Sequence, residues 1–167
     1  MCSEEGESKM TDEIDSGLSV IVRTVACILA IPVIIFGLYV VMHGHLTPGG
    51  GFAGGAVMAT LTALLLVAFG KDFAGKSPRK EIVLAFECIG LLAFAIIGFL
   101  GLGTTFFGNF LANSGSIFGA SIPFGPNQGY LGTGGVTPLM NLAVGLEVFA
   151  ATSLVVLLIY NGTGDEK

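Results

Sequence analysis

The sequence predicts an all-α fold, a polytopic membrane protein with four transmembrane helices, and three observations predict it. The 167-residue chain is 53% hydrophobic and 11% charged, with a mean hydropathy of +0.85, whereas soluble domains carry about 25% charged residues. Four apolar runs approach or exceed the roughly 20 residues that cross a bilayer. The charges also avoid those runs: of 12 carboxylates, six lie in the first 15 residues and two at the very end. Only Asp72, Glu81, Glu87 and Glu147 remain in the body, so the net charge of −5 describes the tails. A soluble core of four buried helices would need amphipathic helices to cover it, and the sequence offers none.

Residues 1–16 read as an acidic cytoplasmic tail, since an acidic start followed by so long an apolar run is not a signal peptide. A four-helix membrane domain follows over 17–161, with spans at about 18–42, 52–70, 82–103 and 138–160, and 162–167 form a short cytoplasmic tail. Lys71, Lys76, Arg79 and Lys80 crowd the link between the second and third spans, whereas 43–51 and 104–137 hold no Lys or Arg. The positive-inside rule then places 71–81 and both termini in the cytoplasm of a cell membrane. Arg23, at the cytoplasmic end of the first span, can snorkel to the headgroups.

The first outer link and the start of the second span read HGHLTPGGGFAGG (His43 to Gly55), two histidines, a proline and six glycines. Pro48 lacks an N–H and fixes its own φ, while Gly49 to Gly51 permit backbone angles closed to other residues. Non-helical backbone at this depth is tolerated only where protein or a water-filled cavity covers it, so the stretch is expected to be buried against something or to line something. The second outer segment, 104–137, is Gly/Phe-rich: it holds eight glycines with Phe106, Phe107, Phe110, Phe118, Phe124 and Tyr130. No Asp, Glu, Lys, Arg or His occurs between Cys88 and Leu146. Such a segment lies at the bilayer interface or under a neighbouring protein.

Two motifs fail on context. GKDFAGKS (Gly70 to Ser77) has the spacing of a phosphate loop, but that loop needs a strand before it and a helix immediately after. Here a spanning helix precedes and Pro78 follows. Gly49, Gly51 and Gly54 match a dinucleotide fingerprint, again with a membrane helix where a strand is required. Neither nucleotide nor nucleic acid is expected as a ligand. Asn161-Gly162-Thr163 is a glycosylation sequon that the topology puts on the cytoplasmic side. Cys2, Cys27 and Cys88 have no metal or disulfide spacing.

Ionisable groups inside a span cost several kcal/mol if unpaired, so each is a functional candidate. Glu147 lies near the middle of the fourth span, and Glu87 roughly 7 Å to the cytoplasmic side of the middle of the third, at 1.5 Å per residue. Each is a candidate for a proton or cation pathway, or else a polar tie to another helix. His43 and His45 are too sparse a set for a metal site, but imidazoles titrate near neutrality and suit proton handling. Glu87 shares a stripe with Gly90, Gly98 and Gly101, and Glu147 with Ala143, Ala150 and Ala151. Gly51, Gly55, Ala59 and Ala63 repeat at four-residue spacing. Small-residue stripes let helix backbones approach closely in lipid.

The His43–Gly55 stretch followed by an apolar helix resembles the signature of the MnhB family, small membrane subunits of the Mrp-type multisubunit Na+/H+ antiporters. Related subunits occur in the antiporter-like module of energy-converting membrane hydrogenases and their sulfur-reducing relatives. The motif residues here are His43, Gly44, His45, Pro48, Gly49, Gly50, Gly51, Phe52, Gly54 and Gly55. The family commonly has Gln after GGGF, where this chain has Ala53. The resemblance implies a non-catalytic subunit without cofactors, working with other membrane subunits in a complex that exchanges Na+ for H+. A scaffold whose helices only dock larger transport subunits is the alternative.

Overall fold

A computed structural model of the protein describes residues 19–74, 80–103, 105–121 and 130–164. The tail 1–16, Lys76, Arg79, Phe124 and the last three residues lie outside that description. Helix α1 is Val20–Met42, α2 Gly51–Phe69, α3 the single turn Lys71–Ala74, α4 Lys80–Leu100 and α5 Thr137–Gly164. Helical 3-10 turns, Gly101–Gly103 and Leu131–Thr133, bracket the long segment between α4 and α5. The described residues contain no strand. The four long helices are each long and apolar enough to cross a membrane.

Chain order is not spatial order. Helix α2 packs against α1 and α5, and α5 packs against α2 and α4, with a lighter contact between α1 and α5. The last helix is thus inserted between the second and the fourth, giving a layer ordered α1–α2–α5–α4. Because α2 and α4 are not packed on each other, the intervening α5 is what joins them. The ends of the layer are correspondingly bare: Ile21, Ile28 and Ile35 on α1, and Leu84, Leu91 and Leu92 on α4, are exposed. In a bilayer these faces meet lipid or other helices rather than water.

Glycines set the ends of α2. Gly50 precedes it with φ +101°, a conformation open essentially to glycine alone. Gly70 ends it in the left-handed region at φ +55°, its N–H donating to the Leu66 carbonyl at 2.8 Å, the usual glycine stop. Two polar ends result. The histidine end carries 43–50, and the lysine end carries α3 and Lys80.

Part of the uncharged segment folds back on its own helix. The Phe107 ring lies against Gly98, where an added Cβ would come within 2.7 Å of the ring edge. Phe107 also contacts Phe94 and Phe106, with ring centroids 5.5 and 4.4 Å apart. Gly101 meets the Gly108 backbone. Of the glycine stripe on α4, therefore, only Gly90 meets another helix; Gly98 and Gly101 serve the chain's own loop. Asn109 Oδ1 accepts the Val136 N–H at 2.9 Å just before α5 begins. Ile117 and Tyr130 remain exposed.

Candidate functional site: two polar stations along the last helix

The first station lies at the histidine end. Helix α1 closes at His43, whose Nδ1–H donates to the Tyr39 carbonyl at 3.0 Å and whose ring stacks on Tyr39 at 4.1 Å between centroids. That ring caps the negative end of its own helix. His45, two residues on, is placed differently. It sits against Gly134 and Pro138, at the start of α5, with its Cε1 3.0 Å from where a Gly134 Cβ would be. Both of its ring nitrogens are buried with no hydrogen-bond partner among the described residues. One turn further along α5, Asn141 lies over Gly44 and Gly50, and its Nδ2 is likewise buried without a described partner.

The hairpin makes this arrangement possible. A side chain at Gly44 would collide with Gly50 and Asn141, and one at Gly51 with the Asn141 carbonyl and Val144. Gly54 turns to α1 instead, where a Cβ would come within 2.6 Å of the Gly37 carbonyl oxygen. Gly55 turns back to α5, 2.7 Å from the Gly145 carbonyl oxygen. The glycines thus pack the start of α2 on both sides. Phe52, between them, is 70% exposed and points away from the layer. Leu46 and Thr47 N–H both donate to the His43 carbonyl, which closes the turn, and Pro48 rides exposed on its outside.

The second station lies near the middle of the layer, where α5 meets α4. A Cβ on Gly90 would stand 2.9 Å from the Ala143 carbonyl oxygen and from the Glu147 nitrogen, so the two backbones touch there. Glu147 therefore sits on the seam. Glu87 is three residues before Gly90 and shares its face, which places the two carboxylates within about one helical turn of each other in depth. Both are half-buried. Neither makes a side-chain hydrogen bond or ion pair with any described residue.

Two hydroxyls below this station do pair. Thr62 on α2 and Ser153 on α5 share a buried hydrogen bond of 2.9 Å. At the lysine end Arg23 lies 4.0 Å from Asp72 and over the Phe69 ring at 5.6 Å. Cys27 and Cys88 face outward. Ala59 is buried on α2 but Ala63 only partly, because a strict four-residue repeat drifts off a face that recurs every 3.6 residues.

Sequence reasoning named His43, His45, Glu87 and Glu147 but treated the two histidines as equals, which the structure separates. It missed Asn141, Thr62 and Ser153. Their signal was present: each is a polar side chain inside an otherwise apolar span, and such groups seek interhelical partners. The absence of charge between Cys88 and Leu146 drew attention away from an uncharged amide.

Comparison with known proteins agrees with this architecture. A family described as a domain related to the MnhB subunit of the Na+/H+ antiporter matches residues 21–154. An uncharacterised protein of Methanocaldococcus jannaschii is 33% identical over 143 residues, covering 83% of this chain and 51% of its own length. A putative antiporter subunit mnhB2 of Staphylococcus aureus is 29% identical over 89 residues, 53% of this chain and 60% of that one. Among solved structures, a chain of the membrane-bound sulfane sulfur reductase, an archaeal respiratory membrane complex, aligns with a TM-score of 0.58 and 30% identity. It covers 84% of this chain and 57% of its own. This chain thus spans about half to three-fifths of the length of these relatives. With the match running from the start of α1 past the middle of α5, and with the glycine hairpin seated on the last helix, the protein belongs to the MnhB family.

Proposed function

We propose that this protein is a non-catalytic membrane subunit of a multisubunit Na+/H+ antiporter, or of the antiporter-like module of a membrane-bound respiratory complex of the hydrogenase type, and that it contributes to cation and proton translocation. The observation that carries the proposal is the pair Glu87 and Glu147, within about one helical turn of each other in depth at the Gly90 contact between two spans and satisfied by no other described residue. Unpaired carboxyl groups at that depth are costly and mark ion pathways. The first station, where hairpin His45 and Asn141 of α5 lie, is close along the same helix, 141 and 147 being less than two turns apart. His43 is spoken for by Tyr39 and takes the lesser role.

The lysine end faces the cytoplasm in this reading. Na+ and H+ are transported ions, and no resident cofactor is assigned. The bare faces of α1 and α4 are where companion membrane subunits sit. A scaffold role uses the same faces but requires nothing of the carboxylates, so the two readings part on one experiment. Glu147→Gln and Glu87→Gln are introduced into the native complex, and Na+-dependent proton movement is followed in membrane vesicles. Glu147→Gln is expected to slow it about tenfold, equivalent to ~1.4 kcal/mol on the barrier, with the complex still assembled. Unchanged transport in the double variant would leave only the scaffold.

A further inference from the structure

We propose that Asn109 is a positioning residue for His45: by gripping the start of α5, it sets the wall against which the buried imidazole lies. The chain of contacts is short. Phe107 and Gly108 are docked on α4. The Phe107 N–H donates to the Gly98 carbonyl at 3.3 Å, with φ at +62°, and Gly108 packs on Gly101. Asn109 follows directly and reaches the other helix, where its Oδ1 accepts the Val136 N–H at 2.9 Å. Val136 is 2% exposed, and its carbonyl accepts the Met140 N–H at 3.1 Å, the opening i→i−4 bond of α5. Asn109 therefore holds α5 at the residue from which the helix departs.

Neighbouring bonds complete the clasp. The Gly135 N–H donates to the Phe118 carbonyl at 2.7 Å, and the Ala120 N–H to the Gly132 carbonyl at 2.9 Å. Gly135 lies in the left-handed region at φ +58°, and a Cβ there would collide with the Asn109 amide. Gly134 and Pro138, which flank the grip, are the residues His45 sits against. Both ring nitrogens of His45 are buried without a partner among the described residues. No hydrogen bond of its own holds the ring, so its walls must, and Asn109 places the wall on the α5 side. Without that acceptor the Val136 N–H would be buried and unpaired, a condition native backbones avoid, and the first turn of α5 would move to meet another partner. The bond asks only for an acceptor, which aspartate supplies and alanine does not. A part for His45 in translocation rests on the function proposed above; its placement by Asn109 does not.

The test uses the assembled complex. Carbethoxylation of His45 by diethyl pyrocarbonate, read by peptide mass spectrometry, reports access to the ring nitrogens. His45 is expected to be protected in wild type and in Asn109→Asp. In Asn109→Ala it should react about fivefold faster, since labelling of a buried group follows the population of open states. Gly135→Ala, which crowds the amide off its place, should reproduce the alanine result. Gly132→Ala, whose methyl would meet the Ala120 Cβ at 3.7 Å, should keep the protection. Transport in vesicles is the second arm. Asn109→Ala should slow Na+-dependent proton movement, Asn109→Asp should restore it, and in a His45→Gln background Asn109→Ala should change nothing further. Unchanged protection in Asn109→Ala and Gly135→Ala overturns the proposal, as does an additive loss of transport in the double variant. Faster labelling with transport unaffected by every variant would remove His45 from the ion path and leave its positioning by Asn109 standing.

Discussion

The two halves of the seam between α2 and α5 are built on opposite principles. At the histidine end the helices meet backbone to backbone through Gly51, Gly55 and Gly145, with Gly54 making the same contact to Gly37 on α1. Toward the lysine end the facing residues become Leu61, Leu65 and Leu157, and a cavity opens beside them. In lipid there is no hydrophobic drive between helices, so association rests on close packing and interhelical hydrogen bonds. The glycine half supplies the packing and the leucine half leaves a gap, held by a hydroxyl pair. The lesson is that one end of the layer is closely packed and specified, while the other is loosely filled. The unpartnered polar groups of the first station belong to the closely packed end, where their positions are fixed.

The strongest way to break this contrast is to thicken the glycine half. Gly54→Leu and Gly55→Leu each force a side chain into a neighbouring carbonyl, 2.6 and 2.7 Å from the Cβ position. Overpacking ordinarily costs about 1–3 kcal/mol, and a backbone atom cannot step aside as a side chain can. The expected outcome is loss of the protein from the native complex, read by the composition of the purified assembly. Gly103→Ala is the control: nothing lies within 4 Å of its Cβ position, and assembly should be unchanged. If Gly54→Leu assembles as wild type, the closely packed end is not where stability resides.

A subtler cut separates shape from conformation within the hairpin. At Gly50 an added methyl would meet Asn141 Oδ1 at 3.4 Å, an ordinary contact, but φ is +101°. At Gly49 the backbone is unexceptional and the neighbour is the Val40 side chain at 3.0 Å. Gly50→Ala should therefore cost about 1–3 kcal/mol through backbone strain alone, and Gly49→Ala much less, because Val40 can shift. Thermal melting of the detergent-solubilised complex distinguishes them. Equal losses would mean that the hairpin is constrained by crowding and not by the turn.

These cases mark what the sequence could reveal. Four spans were legible because apolar length is a one-dimensional property, and the segments at 18–42 and 52–70 lie within two residues of α1 and α2. The order of the layer was not legible, since nothing in one chain says that α5 enters between α2 and α4. The importance of GGG was visible, but not that Gly50 serves the turn and Gly51 the contact. The difference between His43 and His45 was invisible for the same reason: one ring bonds a residue four positions back, whereas the other depends on Gly134 and Pro138, some 90 residues away.

The smallest effect sharpens the contrast at the leucine half. Thr62 and Ser153 share a side-chain hydrogen bond that joins two spanning helices. Interhelical hydrogen bonds in membranes average about 0.6 kcal/mol and reach ~1.7 kcal/mol. Ser153→Ala leaves the Thr62 hydroxyl buried, yet that hydroxyl can turn to a carbonyl one turn back along α2, as Thr24 and Thr60 already do. A loss below about 1 kcal/mol is therefore expected for either single variant. The double variant Thr62→Val with Ser153→Ala should be no less stable than the worse single, since both partners then become apolar together. A loss of several kcal/mol in any of these variants would show that the leucine half is fastened as firmly as the glycine half.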